Sequence, residues 1–304
     1  MNKKRVLVIM GGTSTEREVS LKTGEQIYNN LDRGKYIVSK LLINKNEDIF
    51  KILSMKDEID FVYIALHGSF GEDGSVQAIL DTMGLKYSGP KMLTSSICMD
   101  KNVCKKLVKD YVNVIPGTSM KKDSLLKYED AKKYGNKLVL KQVNGGSSLG
   151  LYIVDNEKDY NNAIVEIFKL SDEIILEKYI KGIEISVPVI DNIVYPTVRI
   201  TPLKSDTFDY ESKYSDDGAI EEVYEFNKSL QEKINSMSKT IYDKINCNSF
   251  CRIDYLIDEN EVVYMIEVNT LPGMTKASIL PKSLMSKGID YKSALDLLIE
   301  SSIK

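Results

Sequence analysis

Three side chains able to hold a metal ion fall on one predicted hairpin. In the segment CRIDYLIDENEVVYMIEVNT, Asp254 precedes a turn at 258–260, and Glu267 and Asn269 follow it. Residues two apart on a strand share a face, so Glu267 and Asn269 point the same way, and strand pairing can bring Asp254 to them. Two carboxylates and an amide make an all-oxygen set. Such a set suits Mg²⁺, which keeps waters and takes its remaining ligands from phosphates. Acids set among Val, Tyr, Met and Ile are costly to bury unpaired, and a metal would compensate them. The other reading is a hairpin with three solvent-facing polar residues. Arg252 lies two before Asp254, on the same face. Its guanidinium suits phosphate or a developing oxyanion, or else a simple ion pair with one of the acids.

Two further stretches carry chemistry. KQVNGGSSLG, from Lys141 to Gly150, follows an apolar strand. Backbone amides of a glycine-serine loop can cradle phosphate oxygens, with the lysine as a point charge; an unliganded hairpin turn has the same composition. It is not a Walker A loop, because no Gly-Lys-Ser/Thr follows the spacer. IALHGSFGEDG contains His67, the only histidine in the chain. A lone histidine is commonly a satisfied structural group. The other reading places it at a strand end, facing the crevice in which open α/β sheets bind ligands. Glu72 and Asp73 are expected to cap the following helix, since acids suit a helix N-terminus.

The elements that must position these residues follow from periodicity. RVLVIM (5–10) reads as a buried parallel strand. STEREVSLKTGEQIYNNL reads as a helix, YIVSKLLI and DFVYIAL as strands, and GSVQAILDTMG as a short helix stopped by Gly84. Strands alternating with helices predict a parallel, doubly wound sheet over 1–92. CMDKNVCKKLVKDY is expected as one helix with Pro116 at its exit. NKLVLKQV and LGLYIV form an antiparallel hairpin with a glycine-rich tip. NEKDYNNAIVEIFKL is an amphipathic helix and DEIILEKY a strand, completing a second segment, 93–178. The third, 179–304, holds strands GIEISVPVI and NIVYPTVRI, a long helix near 228–246, the hairpin, and a terminal helix. The polar stretch 203–221 has little apolar periodicity and reads as a mobile functional loop.

Composition excludes several classes. With 43% hydrophobic and 28% charged residues the chain can bury a substantial core. A net charge of −3 gives no basic footprint for nucleic acid. No apolar run approaches bilayer length, and the short run after the basic start ends in Gly-Gly without a cleavage-like site, so it reads as a strand and not as a signal peptide. Cys98, Cys104, Cys247 and Cys251 lack zinc-ribbon spacing and are expected as reduced thiols of a cytoplasmic protein. A nicotinamide-binding Rossmann fingerprint is absent after the first strand.

Taken in order, GGTSTEREVSLKTG, LHGSFGEDG, CMDK, GGSSLG, LEKYIKGIE, DYESKY, CRIDYLI and IEVNTLPGMTKAS resemble the ATP-grasp enzymes, and within them the D-alanine–D-alanine ligase family. The resemblance spans nearly the whole chain. It implies an α/β, three-domain ATP-grasp architecture with an N-terminal doubly wound parallel sheet. It implies ATP gripped between the second and third domains, with Mg²⁺ or Mn²⁺, two ions with ATP bound. The implied reaction joins two D-alanines through a D-alanyl phosphate, for peptidoglycan. By the same resemblance Lys101 and Lys141 reach the nucleotide phosphates. Glu177, Lys178, Tyr179 and Ile180 hold adenine, and Glu184 the ribose hydroxyls. Lys213 and Tyr214 lie on the loop that closes the site, and Asp254, Glu267 and Asn269 are the metal ligands. Glu16 takes the first substrate's ammonium, with Ser147 and Tyr214 as hydrogen-bonded partners. Ser278 holds the second carboxylate, Gly273 and Arg252 the tetrahedral oxyanion, and His67 orients or helps deprotonate the attacking amine. A homodimer, and no membrane or nucleic-acid partner, are implied. Two departures stand out: Gln142 follows Lys141 where the family has proline, and EEVYEFNKSLQEK lacks the Pro-Ala after the mobile loop. A sister ligase using D-serine is the alternative; the Lys213-Tyr214 pair argues against D-lactate.

Overall fold

The computed structural model describes residues 3–146, 150–203 and 218–303. Among these the strands form three sheets. The first is parallel, in the order β2-β1-β3, from β1 (Lys4–Gly11), β2 (Tyr36–Ile43) and β3 (Phe61–Ile64). Residues Val6 to Met10 are at most 2% exposed, which accounts for the unbroken apolar run: both faces of β1 are covered. One face packs on α1 (Arg17–Asn30) through Ile27 and on the chain's last two helices, introduced below. The other packs on the 3-10 segment Asn46–Glu58 and on α2 (Ser75–Thr82) through Ile49, Ile52, Val76 and Leu80. Gly84, at φ 70°, follows the end of α2 as expected.

The segment CMDKNVCKKLVKDY is not one helix. It is divided between α3 (Met92–Met99) and α4 (Lys101–Val108). Asp100 leaves helical geometry at φ −84°, ψ 96°, and its side chain accepts from the Val103 amide. A capping aspartate starts a new helix there although the apolar spacing runs on. The second sheet follows, antiparallel, in the order β4-β7-β5-β6. It contains β4 (Gly117–Lys121), α5 (Tyr128–Ala131) as a short crossing, β5 (Leu138–Gln142), β6 (Tyr152–Val154), α6 (Glu157–Ile167) and β7 (Glu173–Lys178). The hairpin β5–β6 has the antiparallel pairing expected of it.

The third sheet runs β11-β10-β8-β12-β13, with β9 beside β8. Its strands are β8 (Gly182–Ile190), β9 (Ile193–Val194), β10 (Val198–Pro202), β11 (Ala219–Val223), β12 (Phe250–Asp258) and β13 (Val263–Asn269). NIVYPTVRI is therefore two strands and not one, parted around Pro196, which has no amide hydrogen for a ladder. Of the expected loop 203–221, residues 204–217 lie outside the described residues. Positions 219–221 are strand, paired antiparallel with β10, and not loop. Helix α7 (Lys228–Lys244) covers one face of this sheet. Asn227 caps it by accepting from the Leu230 amide, and Leu230, Ile234, Met237 and Ile241 form its buried stripe. The chain closes with α8 (Ile279–Met285) and α9 (Tyr291–Ser302). Leu280, Leu284, Leu295 and Leu298 of these two helices join the core under the N-terminal sheet. The four cysteines are buried, unbridged thiols.

Candidate active site

The charged face of the hairpin is built by alternation and one bulge. On β12, Ile253, Tyr255 and Ile257 enter the core beneath α7, so Arg252 and Asp254 point the other way. On β13, Glu267 pairs opposite Asp254 and Asn269 opposite Arg252. The register then slips, so that Tyr255 pairs with Met265. The extra residue, Ile266, lets Met265 and Val263 turn into the core while Glu267 and Asn269 stay on the cavity side.

These groups touch. Arg252 donates to both oxygens of Asp254, from Nε to Oδ1 at 2.9 Å and from Nη2 to Oδ2 at 2.8 Å. Asn269 Nδ2 donates to Asp254 Oδ2 at 2.8 Å, and the buried Ser186 hydroxyl on β8 donates to Oδ1. Burial alone would lower the Arg252 pKa; the charge and hydrogen bonds of Asp254 outweigh it and hold the guanidinium above its ordinary value. The ion pair offered as one reading of Arg252 is thus present. Lys101 Nζ lies 3.3 Å from Glu267 Oε2 and also donates to the Gly145 carbonyl. Among the described residues no three His, Cys, Asp or Glu side chains converge as a metal set. The donors here are two carboxylates and an amide around one cavity, a hard-oxygen set that fits Mg²⁺ or Mn²⁺ completed by ligand oxygens.

The same cavity is walled by the N-terminal sheet's loops. Glu16, His67 and Glu72 line it together with Arg252, Asp254, Glu267, Asn269, Gly273 and Ser278. Glu16 sits just before α1, between two glycines: a Cβ on Gly68 or on Gly146 would lie 2.8 Å from its Oε2. Two loops close around the carboxylate at a distance that only glycine permits. His67 is 7% exposed. Its Nδ1 is 3.2 Å from Glu72 Oε1 and its Nε2 is 3.1 Å from Thr23 Oγ1 on α1. Glu72 therefore does not cap α2. Asp73 organises that turn alone, accepting from the Phe70 and Ser75 amides at 2.7 and 2.9 Å. Glu72 is drawn inward by the imidazole, and burial raises its carboxyl pKa.

At the far end, Ser278 precedes α8; its hydroxyl accepts from the Thr275 amide at 3.1 Å and lies 2.8 Å from Thr275 Oγ1. Glu184, on β8, faces the central cavity. Lys178, Tyr179 and Ile180 line a separate cavity of ≈ 560 Å³ against the β12–β13 turn. Glu177 does not point there. It is 2% exposed and turns inward, with Oε2 2.9 Å from Lys141 Nζ and Oε1 accepting from Lys105. Ser147, Lys213 and Tyr214 lie outside the described residues. Sequence reasoning passed over Lys105, Thr23 and Ser186. Lys105 follows Lys101 at helical spacing, a signal that was there to read; Thr23 and Ser186 carried none.

A cavity that joins an N-terminal carboxylate and imidazole to a C-terminal guanidinium and carboxylates has counterparts among known proteins. Residues 106–300 match the family described as D-ala D-ala ligase C-terminus, and residues 5–54 and 47–90 its N-terminal counterpart. A D-alanine–D-alanine ligase of Clostridium botulinum is 42% identical over 99% of both chains, and a D-alanine–D-alanine ligase B of Clostridium perfringens is 41% identical over 98% of both. The crystal structure of the Bacillus anthracis D-alanine–D-alanine ligase superposes with a TM-score of 0.90 at 39% identity, over 99% of this chain and 97% of that one. A further crystal structure of that ligase, complexed with ATP, gives 0.86 at 36% identity, with the same coverage. Matched from end to end, and in both halves, the chain belongs to the D-alanine–D-alanine ligase family.

Proposed function

We propose that this enzyme uses ATP to join two D-alanine molecules through a D-alanyl phosphate, giving D-alanyl-D-alanine for peptidoglycan. The observation that carries this reading is the single cavity in which Glu16 and His67 face Arg252, Asp254, Glu267, Asn269 and Ser278. Glu16 binds the first ammonium, held in place by its glycine neighbours, and that substrate's carboxylate attacks the terminal phosphate of ATP, giving the D-alanyl phosphate and ADP. Lys101 and Lys141 hold the phosphates. Lys178, Tyr179 and Ile180 hold adenine and Glu184 the ribose; Glu177 acts from beneath, through its lysines. Asp254, Glu267 and Asn269 would hold two divalent cations, Mg²⁺ or Mn²⁺, with ATP bound, and these would supply charge neutralisation at the phosphates. The second D-alanine's amine, having lost a proton, attacks the acyl carbon, and the acyl C–O bond breaks to release inorganic phosphate. Ser278 binds its carboxylate, and Arg252 with the Gly273 amide stabilises the oxyanion. His67, its ring held between Glu72 and Thr23, orients that amine. Ser147, Lys213 and Tyr214 complete the first-substrate site and the closing loop.

The three-part division 1–92, 93–178 and 179–304, a homodimer and a cytoplasmic location belong to the same proposal. Limited proteolysis, light scattering and cell fractionation test them in turn. Among the described residues no helix is long and apolar enough to cross a membrane. D-Serine as second substrate is the alternative, since a D-Ala:D-Ser ligase from Enterococcus faecalis superposes with a TM-score of 0.84 at 26% identity. Phosphate release from ATP with D-alanine, D-serine or D-lactate, with product mass determined, decides. Release with D-alanine alone and a dialanine product is expected. Absence of that product overturns the reading.

A further inference from the structure

Lys101 and Lys105 stand four residues apart on α4 and so share one face of it. They reach different sheets. Lys101 meets Glu267 on β13, of the third sheet, at 3.3 Å. Lys105 donates to Glu177 on β7, of the second sheet, and the other oxygen of Glu177 meets Lys141 on β5 at 2.9 Å. Lys141 and Glu177 belong to neighbouring strands, two residues off direct opposition, the diagonal at which long side chains still touch. The two contacts of α4 differ in kind. The Glu177 side chain is 3% exposed and Lys105 10%, whereas Glu267 is 18% exposed and its contact is longer. Burial, then the neighbouring Lys141 ammonium, pushes the Lys105 pKa well below its ordinary value. The Glu267 carboxylate opposes that shift without cancelling it.

None of the ligand roles above uses Lys105. We propose that Lys105 is a positioning residue for the nucleotide: it fixes the Glu177 carboxylate jointly with Lys141 and so ties the second sheet to α4, while Lys101 on the same helix exchanges Glu267 for phosphate oxygen. The inference rests on the ATP reading given above. Without Lys105, Glu177 would have to satisfy its buried charge on Lys141, drawing that ammonium away from the phosphates and releasing β7 from the helix that carries Lys101.

Titration calorimetry with Mg-ATP on wild type, Lys105→Met, Glu177→Gln and the double variant tests it. Each single change is expected to weaken ATP binding ~10-fold or more, and the double no further than the weaker single, because both act through one carboxylate. In Lys105→Met the KM for ATP rises in step, while the KM for D-alanine and turnover at saturating ATP stay within about threefold of wild type. Lys105→Gln, which keeps a donor toward Glu177, carries the test if circular dichroism finds the methionine variant unfolded. Lys105 variants that bind ATP as wild type does, or a double variant whose loss is the product of the single losses, overturn the inference. A wild-type protein that does not bind ATP overturns the proposed function itself, and this inference with it.

Discussion

One wall of the central cavity is sheet and the other is loop, and they hold charge by different means. On the β12–β13 hairpin, Arg252, Asp254, Glu267 and Asn269 project from neighbouring rungs, with a buried serine beneath and a core behind. Their spacing is set by the ladder; Arg252 offsets Asp254 within the face, and Lys101 of α4 meets Glu267. On the opposite wall Glu16 and His67 come from loops at the carboxyl ends of β1 and β3. Their positions depend on distant partners: Thr23, Glu72, and the two glycines around Glu16. A ladder fixes several ligands at once, so it suits a cation and phosphates. A loop wall fixes each side chain separately, so it can be shaped to one substrate.

The hairpin face should therefore fail most severely. Glu267→Gln removes one charge from the metal set and the partner of Lys101 without changing shape. Turnover is expected to fall by ~10²–10³, measured as ADP formation at saturating substrates, with unchanged circular dichroism. Near-normal turnover would remove Glu267 from the cation site.

The loop wall should give a narrower defect. His67→Gln keeps a polar side chain and loses the imidazole held between Glu72 and Thr23. ATP affinity should remain within about twofold, while turnover or the second-substrate KM worsens by up to ~10². Thr23→Val, which removes the Nε2 partner only, should reproduce part of the loss if the ring acts by position. If His67→Gln weakens ATP binding severely while dipeptide formation at saturating ATP is normal, the two walls do not divide their work in this way.

The two walls also differed in how much the sequence disclosed. Residue alternation on CRIDYLI and EVVYMIEVN placed Arg252, Asp254, Glu267 and Asn269 on one face, because a period of two survives whatever packs around it. It did not disclose the bulge at Ile266: an extra residue in a ladder changes pairing without changing composition. Most strands and long helices were legible for the same reason. The break at Asp100 was not, since the apolar spacing of α3 continues into α4 and only the cap marks a new start. His67 could be placed at a strand end, but Thr23 lies 44 residues away and nothing local joins them. Glu72 and Asp73 read alike as acids before a helix; the fold gives one the turn and the other the imidazole. Glu177 and Lys105, 72 residues apart, meet only once two sheets and a helix are assembled.

A smaller test addresses how closely the loop wall is shaped. Gly146→Ala would place a Cβ 2.8 Å from Glu16 Oε2, so the carboxylate must move. The KM for the first D-alanine should rise ~10-fold while ATP affinity is unchanged, since misplacing a binding group by a fraction of an ångström is felt at the substrate it holds. Gly68→Ala makes the same collision at φ 73°, so it should add a loss of stability of ~1 kcal/mol for the left-handed backbone. Equal kinetics in both variants and wild type would place the first ammonium elsewhere.

The smallest effect concerns Glu72, where function and stability should pull apart. Burial raises its carboxyl pKa from the ordinary 4.5, against the opposing hydrogen bond of His67. The folded protein therefore holds this proton more tightly than the unfolded chain does. While both states are protonated, glutamate and glutamine are nearly equivalent. As pH rises through the unfolded and then the folded pKa, the wild type loses stability that a glutamine would not lose. Glu72→Gln should thus melt higher than wild type by a margin that grows as pH rises above the ordinary carboxylate range, reaching on the order of one or two degrees. The same change weakens the carboxylate contact that orients His67, so turnover should fall modestly even as the melting temperature rises, as expected where a strained site is kept for its use. A margin that stays constant with pH, or shrinks as pH rises, would mean that the contact with His67 outweighs the burial of the charge, and that the loop wall, like Arg252 and Asp254 on the hairpin, is held by paired charge.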